Sequence, residues 1–146
     1  DQEKALECFA RAAELGHRNA SKLLGTMYLE GNTVPKDNEK ALNYLQKAAD
    51  LDDISSMILL ANAWMDEPGV KQDYDKAVEY YRLSAEQENP DGLFGLGDCY
   101  YFGYGLEKDD QKAAEYYRRA LAAGYTPEEE DQARLKEVLG DEYQQK

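Results

Sequence analysis

The sequence predicts an all-α fold, an α-solenoid of stacked helix-turn-helix repeats in a right-handed superhelix, and two observations predict it. First, columns of like residues recur at a constant step of 36: Lys4, Lys40, Lys76, Lys112; Ala5, Ala41, Ala77, Ala113; Asp1, Asp37, Asp73, Asp109. A second set keeps the same register through Leu24, Leu60, Leu96, through Gly25, Ala61, Gly97, and through Tyr28, Trp64, Tyr100. A fixed period of this size is the mark of a repeat array, in which one helix pair cannot bury its apolar face and stacking supplies the core. Second, within each period the apolar residues follow helical spacing. Ala41, Leu42, Leu45, Ala48 and Ala49 line one helical face, and Ala20, Leu23, Leu24, Met27 and Tyr28 line another.

Each element follows from this register. Residues 1–18 read as a half repeat, a second helix alone, because Asp1 aligns with Asp37. Full repeats are expected at 19–54, 55–90 and 91–126, and a capping helix at 127–146. Asn19, Ser55 and Asp91 are expected N-caps of the first helices, and Asp37, Asp73 and Asp109 of the second helices. Gly31 and Gly103 stand where first helices should stop. Glu67 replaces them in the second repeat, and Pro68-Gly69 predicts a rearranged turn there. Glycine inside a helix costs about 1 kcal/mol relative to alanine. Gly25 and Gly97 are therefore expected at close helix crossings, with Ala41, Ala77 and Ala113 as the matching flat surface. The twelve tyrosines are expected chiefly as wedges between neighbouring repeats. Thr126 and Pro127 suggest the N-cap and N1 of the last helix, whose first turn is crowded with acids and whose stripe is narrow (Leu135, Val138, Leu139). A helix that opens at the N-cap of a second helix also suggests a fragment of a longer array.

Composition excludes several classes of function. Seventeen basic and thirty acidic residues give a formal net charge of −13. That balance disfavours nucleic acid, whose phosphates demand a basic surface, and anionic membranes. No apolar run approaches the roughly 18 residues of a membrane span, so no membrane insertion is expected, and no leader is visible. Cys8 and Cys99 are read as free buried thiols, compatible with a reducing, cytoplasmic setting without fixing the compartment. Two cysteines and one histidine make no zinc site. No cofactor or metal is expected.

No catalytic constellation stands out. His17 sits in an inter-repeat turn, and neither GxSxG nor HExxH occurs. Gly95-Leu96-Gly97 begins a dinucleotide fingerprint, but Tyr100 replaces its third glycine. Asp73-Tyr74-Asp75 begins a calcium loop that lacks its glycine. Asn19-Ala20-Ser21 is a formal glycosylation sequon placed at a helix start.

The columns resemble a known family. Leu96-Gly97, Tyr100, Gly103, Gly105-Leu106, Asp109, Lys112-Ala113, Tyr116-Tyr117, Ala120 and Gly124 resemble the Sel-one-like repeat (SLR), a longer variant of the tetratricopeptide repeat. Leu24-Gly25, Tyr28, Gly31, Val34, Asp37, Lys40-Ala41 and Tyr44 match in the first repeat, and Lys4-Ala5, Ala12-Ala13 and Gly16 in the leading half. The second repeat departs at Ala61, Trp64, Glu67 and Glu88. The resemblance spans residues 1–125 and implies a non-enzymatic protein-interaction scaffold or adaptor. Its cysteine-rich, β-lactamase-like branch pairs cysteines within each unit, which this chain does not.

In such an array the first helices line the concave face. Lys22, Thr26, Leu29 and Glu30, then Ile58, Asn62, Met65 and Asp66, then Phe94, Asp98, Tyr101 and Phe102 are predicted to point there. Apolar side chains rimmed by acids suggest a groove for a peptide or helix whose apolar anchors are flanked by Lys or Arg. Adjacent first helices burying these residues against each other is the competing reading, which exposed surface at Phe94, Tyr101 and Ile58 would oppose. A structural spacer, or an array that self-associates through the N-terminal flank, is the alternative function. A hydrolase is the least favoured.

Overall fold

The computed structural model describes residues 1–144, and the described residues form eight α-helices, one 3₁₀ turn and no strand. The first unit, Asp1–Gln72, holds α1 (Gln2–Glu14), α2 (Arg18–Glu30), α3 (Asn38–Asp50) and α4 (Ile54–Asp66). The second, from Asp73 onward, holds α5 (Tyr74–Glu86), α6 (Pro90–Phe102), α7 (Asp110–Ala122), α8 (Glu129–Leu139) and the 3₁₀ turn Gly140–Glu142. Helices α1, α3, α5 and α7 begin 36 residues apart, as do α2, α4 and α6. The class is the all-α array of helix pairs that the register predicts.

The N-caps explain how the second helices start in phase. Asp37, Asp73 and Asp109 each accept the backbone N–H three residues on, from Lys40, Lys76 and Lys112, at 3.0–3.1 Å. This satisfies one of the orphan donors of the first turn. Asp1 caps α1 through the N–H two residues on, that of Glu3. The lysine column has a second cause. Lys40 lies over the Tyr28 ring at 5.3 Å, Tyr28 stacks on Tyr44, and Lys47 closes the far side. Lys112, Tyr100, Tyr116 and Arg119 repeat the arrangement in the second unit. Each cation over a ring contributes about 0.5–1 kcal/mol. These tyrosines stack within one helix pair, where wedges between repeats had been expected.

First helices start two residues before the caps expected from sequence. His17, Asp53 and Asn89 occupy the N-cap positions, while Asn19, Ser55 and Asp91 lie inside the first turn. The turn geometry sets this. The N–H of His17, Asp53, Asn89 and Tyr125 bonds back to the carbonyl of Ala12, Ala48, Ser84 and Ala120, closing the preceding helix. One residue in the left-handed region follows each of these C-caps, and in the first three turns it is all that stands before the next N-cap. It is Gly16, Asp52, Glu88 and Gly124 in turn, with φ from 53° to 101°. The last helix, by contrast, is capped later than expected. Glu128, not Thr126, is its N-cap, and the Asp131 carboxylate accepts the Glu128 N–H at 3.2 Å. Gly31 and Gly103 end α2 and α6 in the left-handed region as predicted. Glu67 ends α4 extended, followed by a turn bonded from Val70 N–H to the Glu67 carbonyl.

The helix glycines do sit at close crossings, but their partners are large residues rather than the alanine column. A Cβ on Gly25 would stand 2.6 Å from Leu45 Cγ, and one on Gly97 2.5 Å from the Tyr117 ring. Gly95 meets Tyr81 in the same way across α5 and α6. Leu45 and Tyr117 are fully buried, as are Ala41, Ala77 and Ala113. The large residue fills the space the missing Cβ leaves. Leu23, assigned to the core side by spacing, is exposed, and Cys8 is an exposed rather than a buried thiol.

Two stability measurements test this packing. Gly97→Ala should destabilise the chain by about 1 kcal/mol in urea unfolding. The overpacking cost of about 1–3 kcal/mol exceeds the propensity gain of about 1 kcal/mol, because Tyr117 is walled in. Asp52→Gly should stabilise by about 0.5 kcal/mol. Relief of about 1–2 kcal/mol of left-handed strain exceeds the entropy glycine adds to the unfolded chain.

Candidate functional site

The twelve predicted partner residues fall on three first helices, and the structure treats them differently. On α2, Lys22, Thr26 and Leu29 are half-buried and Glu30 is exposed; the Thr26 hydroxyl donates to the Lys22 carbonyl of its own helix. On α4, Ile58 and Met65 are half-buried, and Asn62 and Asp66 are exposed. On α6, Asp98 and Tyr101 are half-buried and Phe102 is 44% exposed.

Phe94 departs from expectation. It is 5% exposed, so it lines no open groove. Its ring stacks on Tyr125 at 4.0 Å and tilts against Tyr117 at 5.0 Å, and the Arg134 guanidinium lies 5.5 Å from its centroid. Here the competing reading holds, with one first helix covered by the segment that follows the next second helix.

The cover is specific. Arg134 Nη2 stands 3.1 Å from Asp98 Oδ1 and 2.7 Å from Asp131 Oδ1, and its guanidinium lies 5.3 Å from the centre of Phe102. Its Nε is buried with no hydrogen-bond partner among the described residues. The Tyr117 hydroxyl donates to Asp98 at 2.7 Å, Tyr101 to Glu137 at 2.9 Å, and Tyr125 to Asp131 at 3.0 Å. Sequence reasoning missed Arg134, Glu137, Asp131 and Tyr125. The signal was present, because Asp98 to Arg134 and Tyr101 to Glu137 are both steps of 36. Carrying the columns one period past Phe102 places an opposite charge beside the aspartate and an acceptor beside the tyrosine.

Burial governs the ionisation here. Asp98 is pushed up to about 6 by desolvation, against the lowering effects of the Tyr117 hydroxyl and the Arg134 charge. Burial also raises Tyr117 and Tyr125, so both remain donors, and it pushes the Cys99 thiol up to about 12, which leaves that sulfur unreactive. No grouping of His, Cys, Asp and Glu that could hold a metal occurs among the described residues, and no helix there is long and apolar enough to cross a membrane.

Comparison with known proteins agrees with the register. The Sel1 repeat profile matches residues 1–17, 20–53, 54–89 and 90–125. A protective antigen of uropathogenic Escherichia coli strains, described as displaying an SLR fold, superimposes with a TM-score of 0.79 at 34% identity. The match covers 86% of this chain and 27% of that one. A Sel1 repeat protein from Oxalobacter formigenes gives a TM-score of 0.78 at 29% identity, over 97% of this chain and 57% of that one. Helicobacter pylori cysteine rich protein B gives 0.63 at 25%, over 86% and 90%. The chain thus spans only part of the first two proteins it resembles. None of the curated proteins matches it. The α-solenoid class expected from the columns is the class of these SLR structures.

The Asp98 shift sets a pH dependence. Its folded value lies above the ordinary carboxylate value, so the native state holds the proton longer than the unfolded chain. The stability this group contributes is therefore fully present below about pH 4 and is lost as pH rises through about 6. Unfolding free energies of wild type and Asp98→Asn, measured at pH 4 and pH 7, should move in the variant's favour by on the order of 2 kcal/mol between the two. Parallel curves would contradict the assignment. The charged and titratable groups facing Asp98 are Tyr117 from α7 and Arg134 and Asp131 from α8.

Proposed function

The chain belongs to the Sel1 repeat family, and from that premise we propose that it is a non-enzymatic scaffold that holds a protein segment against the outward faces of α2 and α4. Sel1 repeats generally mediate protein–protein interaction. The finer reading rests on the contrast between two kinds of column. Leu24, Leu60 and Leu96, which pack the repeats, are at most 1% exposed. The outward column leaves Leu29, Ile58 and Met65 part-open beside Glu30 and Asp66, in a chain of net charge −13.

Part-open apolar side chains beside carboxylates suit a segment with apolar anchors flanked by lysine or arginine. Apolar contact supplies the affinity, and the carboxylates supply orientation and on-rate. Leu29-Glu30 and Met65-Asp66 repeat this pairing at the C-terminal ends of α2 and α4. In the third repeat the pair is Tyr101-Phe102.

Selection of a random displayed-peptide library on the full chain tests the reading. Enriched sequences should carry basic residues beside bulky apolar ones, and should lose about tenfold or more in affinity for Leu29→Ala/Met65→Ala, at about 1 kcal/mol per truncated contact. Enrichment without basic residues, or affinity indifferent to the double variant, would contradict it.

A further inference from the structure

We propose that α6 carries an arginine-binding cage, built from Phe94, Asp98 and Phe102 with Tyr101 at its edge, which α8 fills in cis and which an arginine-bearing helix of a protein partner fills in trans by displacing α8. The inference deepens the reading above and rests on it, since it assigns one first-helix face a partner of defined chemistry.

The cage has the parts that recognise a guanidinium. Two aromatic rings lie 5.5 and 5.3 Å from it, and a carboxylate stands at 3.1 Å. Asp98 is aimed in advance, because the Tyr117 hydroxyl holds the same carboxylate from α7. Tyr101 extends recognition by one helical turn, donating to a carboxylate three residues after the arginine. The motif read is therefore arginine followed at the third position by glutamate, on one face of a helix.

The same geometry makes α8 separable. Breaking a buried ion pair is costly when it strands a charge. Here neither side is stranded. Arg134 keeps Asp131 of its own helix at 2.7 Å, and Asp98 keeps the Tyr117 hydroxyl at 2.7 Å. Asp131 also retains the Glu128 N–H, so α8 leaves with its N-terminal cap intact. The adhesion of α8 differs from that of the other pairs. Between α6 and α7 a glycine admits a fully buried tyrosine, whereas α8 buries only Leu135 and Leu139 as apolar residues and holds the α6 face through charged groups. Arg118 and Glu142 add a further exposed pair from α7.

The test uses the full chain and a labelled peptide with the sequence of residues 128–143. The peptide should bind the Arg134→Ala chain about tenfold or more tightly than wild type, whose cage is filled. It should lose that gain when its own arginine is replaced by alanine, or when the chain carries Asp98→Asn as well. Equal binding to wild type and Arg134→Ala, or a peptide indifferent to its arginine, would overturn the proposal. Amide exchange on the wild type gives a second reading that needs no variant. Amides of α8 should exchange about a hundredfold faster than the core amides of α6 and α7, and faster again in 0.5 M salt (roughly a 4 Å screening length). Exchange of α8 as slow as α7 and blind to salt would equally overturn it. Library selection that succeeds while these fail leaves the wider reading standing and removes the cage.

Discussion

A helix backbone can approach a large side chain closely only where it carries no Cβ, and that constraint organises this chain. Gly25 against Leu45, Gly95 against Tyr81 and Gly97 against Tyr117 place small on large between α2 and α3, α5 and α6, and α6 and α7. The large partner is buried each time, so the contact contributes core area as well as proximity. It also makes the period rigid. The glycine, its partner, the Asp N-cap and the left-handed turn residue must all stay in phase, and one inserted residue would rotate a helix by about 100° and bring a side chain to the crossing. The uninterrupted 36-residue step of the Asp, Lys and Ala columns is the sequence record of that requirement, and the glycine column departs from it once, at Ala61.

Much of this was legible because each column answers to a requirement within its own helix pair. The Asp column caps second helices, and Lys40 and Lys112 of the Lys column lie over a tyrosine ring while their N–H groups bond the cap. What spacing alone misread had two causes present at once. Short polar residues stand both at Asp53 and at Ser55, and both are good caps; the choice between them is made by the Asp53 N–H closing the preceding helix on Ala48. The large contacts opposite the glycines were assigned to alanines because a repeat pattern fixes which residues recur, not which pairs touch.

The outward faces were harder for a related reason. Phe94, Asp98 and Tyr101 vary from their counterparts in other repeats, which fits either partner choice or packing against a neighbour of unlike sequence. At α6 the neighbour explains Phe94, and its chemistry is visible in the sequence as Arg134 and Glu137 one period further on. Between α6 and α8 the columns that differ are therefore complementary, where the packing columns are merely alike. Two modes of adhesion result. Glycine-to-large contacts join α2 to α3 and α6 to α5 and α7, and α8 is seated by two buried leucines together with charged groups. A binding protein of this kind is expected to keep the first mode invariant and to vary the second.

A double-mutant cycle between Gly25→Ala and Leu45→Ala tests the central constraint most directly. If the added methyl is costly because Leu45 occupies its place, shortening Leu45 makes room for it. The two changes together should then destabilise the chain less than the sum of the single changes, by about 1 kcal/mol or more. Strict additivity would mean that the glycine is there for another reason, and the packing account would fail.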